Sequence, residues 1–183
     1  MYLLTMILSR SQVLLVLALT ALVLLLVAQI WRTLAQIDLA IAFSWTALLQ
    51  GVGVGVAISL LSLLVYQLWP AYRESAIQYM EMVLAPLSRL DYLWLGLLPG
   101  LSEELLFRGV ALPAIGLVAS SVLFGLLHIW DWRHWPYALW ATLIGLLLGG
   151  AMLVTGNLLV PVVAHILINW LSCLLWPKLV RQT

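Results

Sequence analysis

Between Tyr92 and Ile129 the only acids or fixed bases are Glu103, Glu104 and Arg108, set in an otherwise apolar run. An ionisable group at membrane depth costs about 2.5 kcal/mol or more unless it is paired or lines a wet cavity, so by default it marks a functional site. Glu104 and Arg108 are four apart with the acid on the N-terminal side, so on a helix they pair directly. Glu103 sits roughly 100° around that helix and lacks this partner. His128, His165 and Asn169 are the candidates to supply one from elsewhere in the fold.

A carboxylate, two imidazoles and an amide in a buried, partly wet cavity can activate water. Glu103 would act as general base, helped by His128, while His165 and Asn169 donate hydrogen bonds to a developing oxyanion. The same residues can instead hold a divalent metal such as zinc. Glu103, His128 and His165 supply three ligands and leave an open position for water. A His-Glu-x-x-His motif is absent, and so are a membrane Asp pair, a buried Ser-Lys pair and Gly-x-Ser-x-Gly. Cys173, the single cysteine, rules out a disulfide framework or a multi-cysteine zinc site. It reads as a small apolar residue of the last helix. His134 lies among interfacial tryptophans and reads as a surface histidine.

The elements that must position these groups are membrane helices. The chain has 183 residues, 65% of them hydrophobic and 8% charged, with a mean hydropathy of +1.14. A soluble core of that size cannot hide so many apolar side chains, so the expected class is an all-α, polytopic membrane bundle. A net charge of +1 gives no electrostatic case for nucleic acid. Residues 11–31 are an uncharged first span between Arg10 and Arg32. A second uncharged run between Asp38 and Arg73 carries Gly51, Gly55 and Ser59 at i, i+4, i+8, a small-residue stripe for close helix packing. Trp45 at one end and Tyr66, Trp69 and Tyr72 at the other suit the two water interfaces. Residues 72–91 alternate charged and apolar positions at helical spacing and predict an interfacial amphipathic helix ending near Pro86.

A third span runs from Tyr92 to about Leu112. Pro99-Gly100 is expected to weaken or kink it, and if the helix restarts there Glu103 and Glu104 lie in its first turn. The fourth span, Pro113 to Ile129, carries Phe124 and His128. Residues 130–136 are an interfacial belt and turn. The fifth span is Tyr137 to Val154, and the sixth, Leu158 to Trp176, carries His165 and Asn169 on one face. About six spans place both termini on one side with Arg10, Arg73, Arg89, Arg133, Lys178 and Arg181, leaving Arg32 opposite; the positive-inside rule makes that side cytoplasmic. By rise per residue, the two glutamates and His165 lie at similar depth, about 16–18 Å from that face, and His128 at about 7 Å.

Glu103-Glu104-x-x-x-Arg108, Phe124-x-x-x-His128 and His165-x-x-x-Asn169 resemble, in order and on successive apolar helices, the three motifs of the CPBP family. These are the CAAX-type intramembrane proteases and bacteriocin-processing (Abi) enzymes. The resemblance covers roughly residues 90–175. It implies an all-helical membrane fold with a catalytic cavity inside the bundle. It further implies Glu103 and His128 as water-activating residues, His165 and Asn169 as the oxyanion-stabilising pair, and Glu104, Arg108 and Phe124 in support. The domain reading is one integral membrane unit, with N-terminal spans and the interfacial helix in 1–90 and core helices in 91–177. The expected function is cleavage of a membrane-associated peptide or protein. Its rivals are a non-proteolytic membrane scaffold or chaperone, and a haem or pigment binder using His128 and His165.

Overall fold

The computed structural model describes residues 8–179, and among them every regular element is helical. Arg181 and the Lys178 side chain, two of the charges counted above, lie outside what it describes. In chain order the helices are α1 (Arg10–Leu34), α2 (Trp45–Leu68), α3 (Pro70–Leu84), α4 (Tyr92–Leu106), α5 (Leu112–Ile115), α6 (Leu117–Leu126), α7 (Trp135–Thr155) and α8 (Leu159–Leu179). A π-helical turn, Phe107–Ala111, joins α4 to α5, so helical structure runs unbroken from Tyr92 to Ile115. α1, α2, α7 with its leading turn, and α8 are each long and apolar enough to cross a membrane. α1 buries only Val13, Ala21 and Ala28, and turns Leu15, Leu19, Leu22, Leu26 and Ile30 outward. Such a surface is stable only against lipid. The protein is a polytopic integral membrane helix bundle.

α8 is the central helix, packed between α2 and α4. The predicted small-residue stripe is one of its two seats. A Cβ on Gly51 would lie 2.6 Å from Val163 Cβ, and one on Gly55 2.9 Å from the Ala164 carbonyl oxygen. The other seat is on α4, where a Cβ on Gly96 would overlap the Trp170 indole and one on Gly100 would lie 2.5 Å from Ile166 Cγ1. At one end of the bundle the 35–44 connection is tied to Asn157, whose side chain both donates to the Ala42 carbonyl and accepts from the Ala42 N–H. This holds Ile37 and Leu39 against the core formed by Phe107, Val110 and Phe124. At the opposite end Arg10 makes a two-point pair with Asp91, at 2.8 and 2.7 Å. Tyr79 of α3 packs on Trp130 at that same end, and Leu179 packs against the Tyr72–Trp140 cluster. The first and last described turns therefore share one end of the bundle.

Three expectations change. First, α4 passes through Pro99 without ending; the irregularity falls after the glutamates, in the π-turn, so Glu103 and Glu104 are mid-helix and not in a first turn. Second, the fourth span is short. Gly116, at φ +84°, turns the chain after α5, and α6 has ten residues, about 15 Å against a hydrocarbon core of about 30 Å. Third, Tyr66 and Tyr72 are not a water-facing belt; both are buried with Trp140, while Trp45 is exposed as expected. α3 is amphipathic, burying Tyr72, Ser75, Ala76 and Leu84 and exposing Glu74, Gln78 and Glu81, and it stops just before Pro86.

Two outcomes follow from this packing. Gly55→Val places new atoms against the Ala164 backbone, which cannot yield as a side chain would, and should cost about 1–3 kcal/mol; thermal unfolding in detergent measures it. Asp91 is held well below the ordinary carboxylate range, first by the Arg10 hydrogen bonds and then by Ser88. A depressed folded-state pKa means the stabilisation is full above the unfolded value of about 3.9 and is lost as pH falls below it. The melting-temperature gap between native protein and Asp91→Asn should thus be constant from pH 8 to about 5 and shrink below about 4.

Candidate active site

Glu104 is the anchor. Its side chain is 0% exposed and that of Arg108 2%. Arg108 Nη1 donates to Glu104 Oε1 at 2.6 Å, one helical turn away, as the spacing predicts. His165 Nδ1 reaches the same oxygen at 2.6 Å from α8. A carboxylate only accepts, so Nδ1 carries the proton. Arg108 Nη2 also donates to the Gly145 carbonyl of α7 at 3.2 Å, and its guanidinium lies over the Phe124 ring of α6, 4.4 Å from the centroid. Four elements thus meet at one buried ion pair: α4 with its π-turn, α6, α7 and α8.

Glu103 points elsewhere. One step around α4, its side chain is 17% exposed and lines a cavity of about 360 Å³, with Oε2 3.9 Å from His165 Nε2. Oε2 has no hydrogen-bond partner among the described residues. His128 stands just past the end of α6, where Nδ1 meets the Phe124 carbonyl at 2.8 Å and the ring packs on Phe124 at 4.8 Å. A carbonyl also only accepts, so Nδ1 is protonated, and in the neutral ring Nε2 keeps its lone pair. The unwinding after Leu126 brings His128 to the cavity that Glu103 and His165 line, which residue counting alone left about 7 Å from the face. Asn169, one turn along α8 from His165, lines it too and donates through Nδ2 to the Leu95 carbonyl at 3.3 Å.

All seven residues singled out from sequence thus lie in or directly behind one site, with Glu103, Phe124, His128, His165 and Asn169 at the cavity wall and Glu104 and Arg108 behind it. His128 forms no ion pair or hydrogen bond with either glutamate. The two histidines are oriented through Nδ1 as ligand histidines often are. Yet among the described residues no three His, Cys, Asp or Glu side chains converge on a point where a metal ion could sit. Glu103, His128 and His165 share a cavity without forming a ligand set. His134 stacks on Trp130 at the bundle end, as a surface histidine would.

The sequence reading missed Tyr79 and Tyr137. They stack at a centroid distance of 4.6 Å and wall the cavity beside His128. Tyr72 and Tyr79 are seven apart, hence on one face of α3, and that was the available signal. The Gly145 carbonyl left no signal at all, because a backbone acceptor on a facing helix has no residue type.

Residues 85–171, which carry all seven side chains, match the Rce1-like family, described as type II CAAX prenyl endopeptidase Rce1-like. Over that segment the three-motif resemblance to CAAX-type proteases is borne out at the family level. The chain is also similar to the uncharacterized protein YpbD of Bacillus subtilis (strain 168), 33% identical over 119 residues, which covers 65% of this chain and 63% of that protein. No solved structure matches it significantly.

Removing the anchor should be more damaging to folding than removing the cavity carboxylate. Glu104→Ala leaves Arg108 buried and uncompensated, a loss of about 3–5 kcal/mol. Glu103→Gln keeps shape and burdens no buried cation. Monodisperse yield and melting temperature in detergent should fall sharply for the first and little for the second.

Proposed function

We propose that the protein is an intramembrane endopeptidase that hydrolyses a peptide bond in a membrane-associated protein or peptide. The observation that carries this reading is the convergence on one cavity of an unpaired carboxylate (Glu103) and an imidazole with a free Nε2 (His128), facing an imidazole and an amide from a third helix (His165, Asn169). The description of the Rce1-like family as an endopeptidase supports it.

In this reading Glu103 accepts a proton from water, with His128 Nε2 as the second acceptor, the hydroxide attacks the scissile carbonyl, and the proton held by Glu103 passes to the leaving amine as the C–N bond breaks. His165 Nε2, when it carries a proton, donates to the oxyanion alongside Asn169. Glu104 and Arg108 touch no reacting atom; they hold His165 in tautomer and orientation, with Arg108 braced on Phe124. The donor set does not gather around a metal position, so no step is routed through one. The positive-inside pattern supports a cytoplasmic location for the end of the bundle that carries Arg10, α3 and residues 127–134. Residues 1–90 then form an N-terminal support for a catalytic half at 91–177.

The test compares new protein termini in membranes of cells carrying the native chain with those carrying Glu103→Gln at equal abundance. Termini present only with the native chain are expected. On a peptide spanning such a cleavage site, Glu103→Gln should lower the purified enzyme's rate by about 10²–10⁴-fold, and EDTA or phenanthroline should leave the native rate unchanged. Identical termini in the two cell lines, together with a phenotype on gene deletion, would overturn the protease reading in favour of the scaffold.

A further inference from the structure

In an α-helix interior each carbonyl already accepts from the N–H four residues on, so a facing helix meets an acceptor with only its second lone pair open. Proline has no N–H. At position 99, inside α4, it cannot bond the carbonyl of Leu95. Leu95 is buried, and its oxygen accepts instead from Asn169 Nδ2, across the α4–α8 contact. On either side of this bond the two helices are drawn together by glycine, with Gly96 under Trp170 and Gly100 under Ile166. The carbonyl and the amide thus meet beside these two close approaches.

An amide has two N–H donors and one carbonyl. With one N–H held by the Leu95 oxygen, the plane of the Asn169 amide is set and its second N–H is left for the cavity shared with Glu103 and His165. We propose that Pro99 is a positioning residue: by withholding one backbone N–H from α4, it frees the Leu95 carbonyl to hold Asn169 in the orientation that stabilises the oxyanion. This rests on the endopeptidase reading for its catalytic consequence, while the hydrogen bond itself can be read without activity.

Two forms of residue 99 separate the missing donor from the proline ring. Pro99→Ala restores the N–H and favours the helix. Lactic acid at 99, incorporated as a backbone ester, has neither ring nor N–H. Asparagine occurs only at 157 and 169, so protein labelled with side-chain ¹⁵N-asparagine shows two amide pairs, and the Asn157 pair is an internal control. In Pro99→Ala the Asn169 pair alone should move, and kcat on the cleavage-site peptide should fall about 10–100-fold with KM changed less than about twofold. The ester form should match the native chain in both readouts. In an Asn169→Ala background, Pro99→Ala should have no further effect on kcat. An unmoved Asn169 signal in Pro99→Ala, an ester form that behaves like the alanine form, or additive losses with Asn169→Ala would each overturn the proposal. If instead Glu103→Gln leaves the rate of the native chain unchanged, it is the endopeptidase reading that fails, and the amide signals still report on the bond.

Discussion

The structure depends on the ion pair between Glu104 and Arg108, which sits where water does not reach. Charges in such a place need a partner and further hydrogen bonds, because desolvation is not repaid by Coulomb attraction alone. Here one carboxylate oxygen takes both Arg108 and His165, the other, Oε2, has no partner among the described residues, and the guanidinium is further engaged by the Gly145 carbonyl and the Phe124 ring. Each of these contacts comes from a different helix. The pair therefore specifies which faces of α6, α7 and α8 turn inward, something that apolar side chains of similar size would do less selectively.

Adjacent glutamates acquire different roles from one geometric fact, the 100° step of the helix. Glu104 faces the packed interior, where every neighbour is fixed. Glu103 faces the cavity, where its Oε2 has no partner among the described residues and the nearest cation candidate, His165 Nε2, is 3.9 Å away. His165 lies between them, with Nδ1 on the structural carboxylate and Nε2 toward the cavity, so one ring nitrogen serves the fold and the other faces whatever enters.

The N-terminal helices lie mostly outside the segment that matches the family, yet they shape the site. Gly51 and Gly55 let α2 approach α8 closely and so set the level at which His165 and Asn169 stand. Ile37 and Leu39, pinned by Asn157, support Phe107 and Phe124 from the far end. Without a hydrophobic driving force between helices in lipid, association of this kind rests on close van der Waals packing and a few polar contacts. That accounts for glycine at each of these crossings and for the bidentate Arg10–Asp91 contact at the rim.

Much of this was readable in the chain. Composition alone demands membrane helices, because 65% apolar residues in 183 cannot be buried in a soluble domain. The four-residue spacing of Glu104 and Arg108 determines their pairing whatever the fold, since local helix geometry is independent of tertiary context. The i, i+4, i+8 stripe on α2 likewise names its own packing face. Three matters were settled only by assembly. His128 reaches the cavity because α6 ends early, and helix ends depend on packing that residue counts do not contain. α4 continues through Pro99 and its irregularity falls in the π-turn after the glutamates, whereas proline read locally predicts weakening or a kink before them. Tyr66 and Tyr72 are buried against Trp140 and do not face water, because α3 folds back over α7. For His128 and the two tyrosines the local preference was real and was overridden by contacts between residues far apart in sequence, which no window along the chain can register.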